Sequence, residues 1–173
     1  MKELFLALPS KEYENSFVNY VKAYKSDNEE DGYYYSKYKK ALENYDGYLK
    51  DLQNHSMGID LSDDYVQTSS FWLIDKCEVV GVVRVRHMEL EAAGHIGYDI
   101  APVFRKRGYG TMILKLALER ARALGIKEAV VTCNIHNEAS KKIIEKNNGK
   151  YLSIIYNEED DEELFKYSIS TIL

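Results

Sequence analysis

A short segment, "FRKRGYGTMILKLALERARALG", combines positive charge, glycine and helical periodicity. Three cations and two glycines stand within six residues, and apolar residues then repeat at helical spacing. The first N–H groups of a helix have no partner inside it, and the helix dipole adds positive charge there. Glycine also lets the backbone approach a ligand closely. The segment therefore predicts an anion site, preferably for a pyrophosphate, formed by Arg105, Lys106, Arg107, Gly108, Tyr109, Gly110 and Thr111.

Two common phosphate-loop motifs do not fit this segment. The GxxxxGK[ST] loop is absent, and the dinucleotide GxGxxG pattern would need a glycine at Ile113. What remains is R-x-x-G-x-G at Arg105, Gly108 and Gly110. This short pattern also fits a tight turn before a core helix, with its basic residues exposed for solubility. The segment alone leaves both interpretations open.

Composition narrows the class of protein. A chain of 173 residues is predicted to form a single domain over 1–173. The net charge of −5 argues against nucleic acid as the main partner, and no apolar run approaches the ~20 residues of a membrane span. The two cysteines imply neither a disulfide framework nor a metal site. We expect a reduced cytoplasmic protein whose acidic run "NEEDDEE" is a solvated turn.

Hydrophobic periodicity predicts the element order β-α-α-β-β-β-α-β-α-β-β. Ser10 is predicted to cap the first helix, and one continuous helical stripe is predicted from Tyr38 to Leu52. The strand, helix and strand around the glycine segment form a local βαβ unit, while the flanking strands favour antiparallel pairing. The predicted fold class is mixed α/β (α+β), with a twisted mixed sheet flanked by helices.

Two coupled segments carry a family resemblance: "GHIGYDIAPVFRKRGYGTMILKLALERARALGI" and "VTCNIHNEASKKIIEKNNGK". They resemble the strand, pyrophosphate loop, helix, next strand and short helix of the GNAT superfamily of acyl-CoA-dependent N-acyltransferases. The resemblance is strong from Val79 to Tyr151, and residues 1–70 match only in outline. Within the family, the chain is similar to a bacterial subgroup.

The resemblance implies acetyl-CoA as the cofactor and a primary amine, on a small molecule or a protein, as the acceptor. In this family the loop amides from Arg105 to Thr111 would hold the pyrophosphate. The pantetheine arm would pair with the backbone near Ile100 and Ala101, between two strands that splay apart. Asn137 and Ser140 stand at the family's N-x-x-S positions, where the asparagine would contact the pantetheine arm. A homodimer is a further expectation from the family.

The implied chemistry is direct attack of a neutral amine on the thioester, which requires a base and benefits from an acid. Many family members place a tyrosine acid seven residues after the asparagine, but this position is Ile144 here. Tyr98 or Tyr156 is the predicted substitute. The candidate bases are His95, His87, Glu89 and Glu91.

The missing tyrosine leaves a second hypothesis open, a non-catalytic acyl-CoA-binding module that acts as a sensor or scaffold. Arg84 and Arg86 share one strand face and could hold a carboxylate, but the favoured interpretation is that both are solvated. The neighbouring tyrosines are expected to pack the first helices rather than to line a site: Tyr33, Tyr34, Tyr35 and Tyr38.

Overall fold

The structure is a computed structural model that describes residues 4–25 and 29–172. The strands are β1 Phe5–Ala7, β2 Thr68–Asp75, β3 Glu78–Leu90, β4 Gly94–Ile100, β5 Glu128–Asn134, β6 Lys150–Asn157 and β7 Glu162–Ser170. The α-helices are α1 Glu14–Lys22, α2 Glu29–Tyr38, α3 Lys40–Glu43, α4 Tyr45–Met57, α5 Tyr109–Ala123 and α6 Glu138–Lys146. No helix within the described ranges is long and apolar enough to cross a bilayer.

The strands form two antiparallel sheets, ordered β1-β2-β3-β4 and β5-β7-β6. The predicted mixed α/β class is confirmed, but the expected single mixed sheet is wrong in one respect. β4 and β5, the two strands of the predicted βαβ unit, lie side by side without belonging to a common sheet. All strand pairs that the described residues form are therefore antiparallel.

β4 and β5 meet closely near Gly94 and Val130. A Cβ on Gly94 would lie 2.5 Å from the carbonyl oxygen of Val130, so glycine is required for this approach. Next to it, the Val130 N–H donates to Nδ1 of His95 at 3.0 Å. The histidine ring thus takes the hydrogen bond that a neighbouring strand would otherwise accept. Because a side chain replaces the backbone ladder, the two strands are free to diverge further along.

Two cores lie on either side of the first sheet. α5 packs the apolar residues Ile113, Leu114 and Ala117 against β3 and β4. The other core is aromatic and lies beneath the N-terminal helices, where Phe17 stacks on Trp72 with ring centroids 4.3 Å apart. Buried aromatic pairs of this kind contribute beyond the area they bury. The N-terminal helices are thereby fixed to the sheet beside β3.

The N-terminal helices differ from the sequence prediction in two places. Ser10 makes no side-chain capping hydrogen bond, since a 3-10 turn over Lys11–Tyr13 precedes α1. The predicted helix from Tyr38 to Leu52 is broken at Asn44, whose backbone is non-helical and whose side chain accepts the Gly47 N–H at 2.9 Å. A capping asparagine therefore starts a new helix where periodicity alone indicated continuity.

Candidate active site

A cleft of about 690 Å³ opens where β4 and β5 diverge. One side is lined by α2, β3 and β4, including Lys37, Arg84 and Gly97. The other side is lined by the end of β5, the start of α6 and the turn between β6 and β7. Chain segments that are distant in sequence therefore share one concave surface, as expected of a small-molecule site.

The predicted anion loop lies at the end of β4, where α5 begins. Arg105, Lys106 and Arg107 are exposed, and Arg107 lies over the Phe104 ring at 5.8 Å from its centroid. The Met112 N–H donates to Gly108 O, so the amides of residues 109–111 precede this first helical bond. This arrangement offers both backbone donors and positive charge to an anion.

The two glycines of the loop serve different purposes. Gly108 has φ +84°, and nothing lies within 4 Å of the position its Cβ would take. It is therefore needed for the left-handed turn, and it leaves open space before the helix. A Cβ on Gly110 would instead lie 2.5 Å from Cδ1 of Ile143. Gly110 thus permits α5 to pack closely on α6, which the sequence analysis did not anticipate.

The other two residues of the loop are held by the protein. The Tyr109 hydroxyl donates to Asp75 at 2.6 Å, and the Thr111 carbonyl accepts from the Asn147 side chain at 3.2 Å. These bonds fix the first turn of α5, whose residues 109–111 are half-buried. That the loop holds a pyrophosphate stays a prediction.

The predicted pantetheine-pairing positions already carry hydrogen bonds. The Ile100 carbonyl accepts from Nε of Arg105 at 3.1 Å, and the Ala101 carbonyl accepts from the Phe104 N–H at 2.8 Å. A pantetheine arm that pairs through the Ile100 carbonyl would therefore share this acceptor with Arg105. If the Arg105 side chain turned from the strand edge toward a phosphate, the Ile100 carbonyl would be left to accept from the pantetheine arm alone.

Three polar residues gather where the cleft meets the start of α6. The Asn137 side chain caps α6 by accepting the Ser140 N–H at 3.0 Å. The Ser140 hydroxyl lies 3.3 Å from the Tyr98 hydroxyl, which joins β4 to α6 across the divergence. Burial raises the pKa of Tyr98 to about 12. Tyr98 is therefore protonated at neutral pH and suited to donate a proton.

The predicted bases are placed differently from Tyr98. Neither His95 nor His87 is among the described residues that line the cleft. Nδ1 of His95 accepts the Val130 N–H, Nε2 of His87 lies 2.8 Å from the Ser69 hydroxyl, and burial lowers the pKa of both rings. Both rings thus have hydrogen-bond partners outside the cleft lining, and their role as bases stays a prediction.

Two of the remaining acid and base candidates have other partners, while Glu91 is exposed. Glu89 pairs with Lys166 at 2.6 Å, and Tyr156 is exposed and donates to Asp161. Ile144 is fully buried in the core below α6. The position of the usual tyrosine therefore faces apolar packing, and Tyr98 is the predicted acid that lies in the cleft.

The Arg84 side chain is buried, so the expectation that it is solvated is wrong. Its side chain is 11% exposed and its Nη1 donates to Asp99 at 2.9 Å. The hydroxyls of three tyrosines donate to the same carboxylate at 2.6–2.9 Å: Tyr20, Tyr24 and Tyr38. The ion pair is thus enclosed by hydrogen bonds, which a buried pair requires.

Two further cations extend from this pair into the cleft. Arg86 is half-buried and donates to the Ala93 carbonyl at 3.0 Å, and Lys37 lies 3.3 Å from the Tyr33 hydroxyl. Burial and the charges of Arg84 and Arg86 lower the pKa of Lys37 to about 7. Sequence reasoning missed Lys37 entirely and gave no role to Asp99.

The opposite end of the cleft carries acidic residues. Glu159, Asp160 and Glu162, on or beside the turn between β6 and β7, line it together with Asn134. Glu162 accepts a hydrogen bond from the Asn134 side chain. The acidic run is a turn, as predicted, but it borders the cleft that the sequence did not connect with it.

Comparison with known proteins agrees with this geometry. The family model described as acetyltransferase (GNAT) domain matches residues 14–150. Enzymes of this family use acetyl-CoA, so the predicted cofactor is confirmed for the family. No match is found among curated proteins.

Solved structures share the fold at low sequence identity. MccE, the microcin C7 self-immunity acetyltransferase, solved with acetyl-CoA and AMP, is 15% identical, with 98% of this chain and 93% of MccE covered and a TM-score of 0.64. RimJ of Mycobacterium smegmatis, solved with CoA-disulfide, is 13% identical, with 96% and 85% covered and a TM-score of 0.69.

A third structure is the Salmonella typhimurium acetyltransferase that modifies the N-terminal serine of ribosomal protein L7/L12. It is 16% identical, with 98% of this chain and 96% of that chain covered and a TM-score of 0.65. At these identities the likeness concerns the fold, while the family model covers most of the sequence. The chain therefore belongs to the GNAT family of acetyltransferases.

Proposed function

We propose that this protein transfers an acetyl group from acetyl-CoA to a primary amine of a small molecule or protein. The observation that carries the proposal is the position of the cleft. It opens between the diverging strands β4 and β5, and the cationic glycine loop begins at the end of β4. A cofactor held at the loop can thus extend its thioester toward an amine in the cleft.

The protein's contribution at the loop is electrostatic. The amides of residues 109–111 and the exposed cations Arg105, Lys106 and Arg107 offer hydrogen bonds and charge to the two phosphates. The fixed first turn of α5 means that these amides need no rearrangement before they bind. Binding both reactants in one orientation supplies part of the rate.

Tyr98 is the proposed acid. Acetyl-CoA, when bound, supplies a thioester whose carbonyl carbon forms a bond to the amine nitrogen as the carbon–sulfur bond breaks. The Tyr98 hydroxyl would donate a proton to the departing sulfur, and the proton that the amine nitrogen loses would pass to water. A hydroxyl with a pKa of about 12 remains protonated until this step. The proposal does not assign the base to His95 or His87, because both rings have structural partners.

The test is an assay of thiol release from acetyl-CoA with a panel of primary amines. Tyr98→Phe is expected to lower kcat by about 100-fold with little change in KM, since a general acid contributes about that much. Tyr151→Phe removes an exposed tyrosine hydroxyl on β6, outside the residues that line the cleft, and serves as the matched control, with kcat within a few-fold of wild type. An unchanged kcat in Tyr98→Phe would remove Tyr98 from the mechanism.

A second candidate function is supported by Ile144. Because this buried residue replaces the usual tyrosine, a module that binds acyl-CoA without turnover is the alternative. The two functions differ in the same assay. Binding of acetyl-CoA without thiol release, for every amine in the panel, would favour the sensor or scaffold.

We also propose a cytoplasmic location. Cys77 and Cys133 are both free thiols, one exposed and one buried. Free thiols persist in reducing compartments, which supports this assignment.

A further inference from the structure

We infer that the acceptor carries an oxyanion, a carboxylate or a phosphate, which Lys37, Arg84 and Arg86 bind on one wall of the cleft. The inference rests on the proposed function, because it describes the molecule that enters the same cleft. It names a class of acceptor that the family assignment leaves open.

The first observation is the convergence of three cations on one wall. Lys37 comes from α2, while Arg84 and Arg86 project from the same face of β3. Among the side chains that the structure describes, no carboxylate forms an ion pair with Lys37 or Arg86. The wall therefore carries positive charge that its described surroundings do not neutralise.

The second observation is the space in front of the two arginines. Gly97 lies opposite Arg84 on β4, and a Cβ at this position would lie 3.5 Å from both terminal nitrogens of Arg86. The same Cβ would lie 3.7 Å from Nη2 of Arg84. The missing side chain therefore leaves room for a ligand atom directly against two guanidinium groups.

The third observation is an unpaired donor. Nε of Arg84 is buried, and among the described residues it has no hydrogen-bond partner. Buried polar groups are nearly always paired, so this guanidinium, which lines the cleft, keeps a donor that the described residues do not use. Asp99 and its three tyrosines hold this guanidinium in place. Arg84 is thus a fixed part of the wall.

The charge on the opposite side orients the acceptor. Glu159, Asp160 and Glu162 border the cleft across from the cations. An amine is protonated when it arrives and is attracted to the carboxylates, while an oxyanion on the same molecule is attracted to the cations. A molecule with both groups matches both walls. Guanidinium groups bind carboxylate and phosphate with paired hydrogen bonds, so the wall accepts either chemistry.

The test uses anions that lack a free amine, so that binding does not depend on turnover. N-acetylaspartate represents carboxylates, sulfate represents phosphate-like oxyanions, and N,N-dimethylacetamide is the neutral control. Calorimetric titration of the full chain is expected to detect one or both anions and no neutral binding. Preference for one anion identifies which oxyanion the acceptor carries.

The variants are Lys37→Met, Arg86→Met and Gly97→Ala. Each methionine keeps an apolar stem without charge, and each is expected to weaken anion binding at least about tenfold. Gly97→Ala is expected to weaken it by filling the space, and its Cβ makes only ordinary contacts, so folding is preserved. Arg122→Met, an exposed cation on α5, is the matched control and should bind like wild type.

Each outcome has a distinct meaning. Failure of both anions to bind, or equal binding by wild type and the three cleft variants, overturns the inference. If acetyl-CoA still binds and thiol is released with a neutral amine, the proposed function survives that failure. If acetyl-CoA does not bind, the proposed function fails by itself, whatever the anions do.

Discussion

The molecule presents two sets of cations that differ in almost every physical respect. Arg105, Lys106 and Arg107 are consecutive and exposed, and they stand before the first turn of α5. Lys37 comes from α2, Arg84 and Arg86 come from β3, and all three are buried or half-buried in the cleft. The first set adds charge to backbone amides, whereas the second is built from side chains held in fixed positions.

The difference shows how burial changes the cost of a charge. Exposed cations are solvated and cost little, so a loop can carry three of them in a row. Buried cations lose hydration, and they persist only where hydrogen bonds and opposite charge compensate. Asp99 provides this compensation for Arg84, and half-burial near two arginines lowers the pKa of Lys37 to about 7.

Of all the substitutions, removal of the negative partner of Arg84 should have the largest effect. Asp99→Asn leaves Arg84 buried without a negative partner, and we expect the free energy of unfolding to fall by about 3–5 kcal/mol. Urea denaturation measures this. The double variant Arg84→Met with Asp99→Asn removes both charges and should recover part of the loss. A loss of less than about 1 kcal/mol in the single variant would show that the pair is not desolvated.

A larger side chain at Gly110 should affect packing, and this separates its role from that of Gly108 in the loop backbone. Gly110→Val forces atoms into the space that Ile143 occupies, and we expect a loss of about 1–3 kcal/mol of stability. Because Gly110 supports packing, the folded variant should retain most of its affinity for acetyl-CoA. Thermal melts with and without acetyl-CoA separate the two effects. An unchanged melting temperature would contradict the packing role.

The smallest effect should appear in the pH dependence of anion binding by the cations of the cleft. Lys37, which faces Arg84, Arg86, Asp99 and Tyr33, has its pKa lowered to about 7. It carries its charge below that pH and loses it above, so sulfate binding should weaken about tenfold between about pH 6 and about pH 8. Titrations at several pH values measure this. The Lys37→Met variant should show a flatter profile, and identical profiles would contradict the assignment.

Much of the fold followed from local patterns in the sequence. The helix α5 follows the glycine segment between the strands β4 and β5, and the acidic run forms a turn between the last two strands, as the sequence predicted. The placement of β4 and β5 in separate sheets could not be predicted from local patterns. It depends on the His95 ring, which accepts the N–H of a residue distant in sequence. The break at Asn44 depends on one capping bond that periodicity does not encode.

The loop of the candidate site was predictable because its residues are contiguous. The cationic wall was predictable only in part, because the spacing of Arg84 and Arg86 places both on one strand face, whereas Lys37 joins them only through the packing of α2. One signal for the buried pair was present in the sequence. An aspartate within the apolar strand "GYDIA" is rarely buried without a partner, and Arg84 lies on the adjacent strand.

The most direct test of the central claim is a calorimetric titration of acetyl-CoA into wild type, Gly108→Asp and Gly108→Asn. Aspartate and asparagine have the same shape and both tolerate the left-handed backbone at this position, so the two variants differ in charge alone. We predict that Gly108→Asn binds within a few-fold of wild type, while Gly108→Asp loses at least about tenfold in affinity because its carboxylate repels the pyrophosphate. Equal affinities in both variants would contradict a cofactor site at this loop.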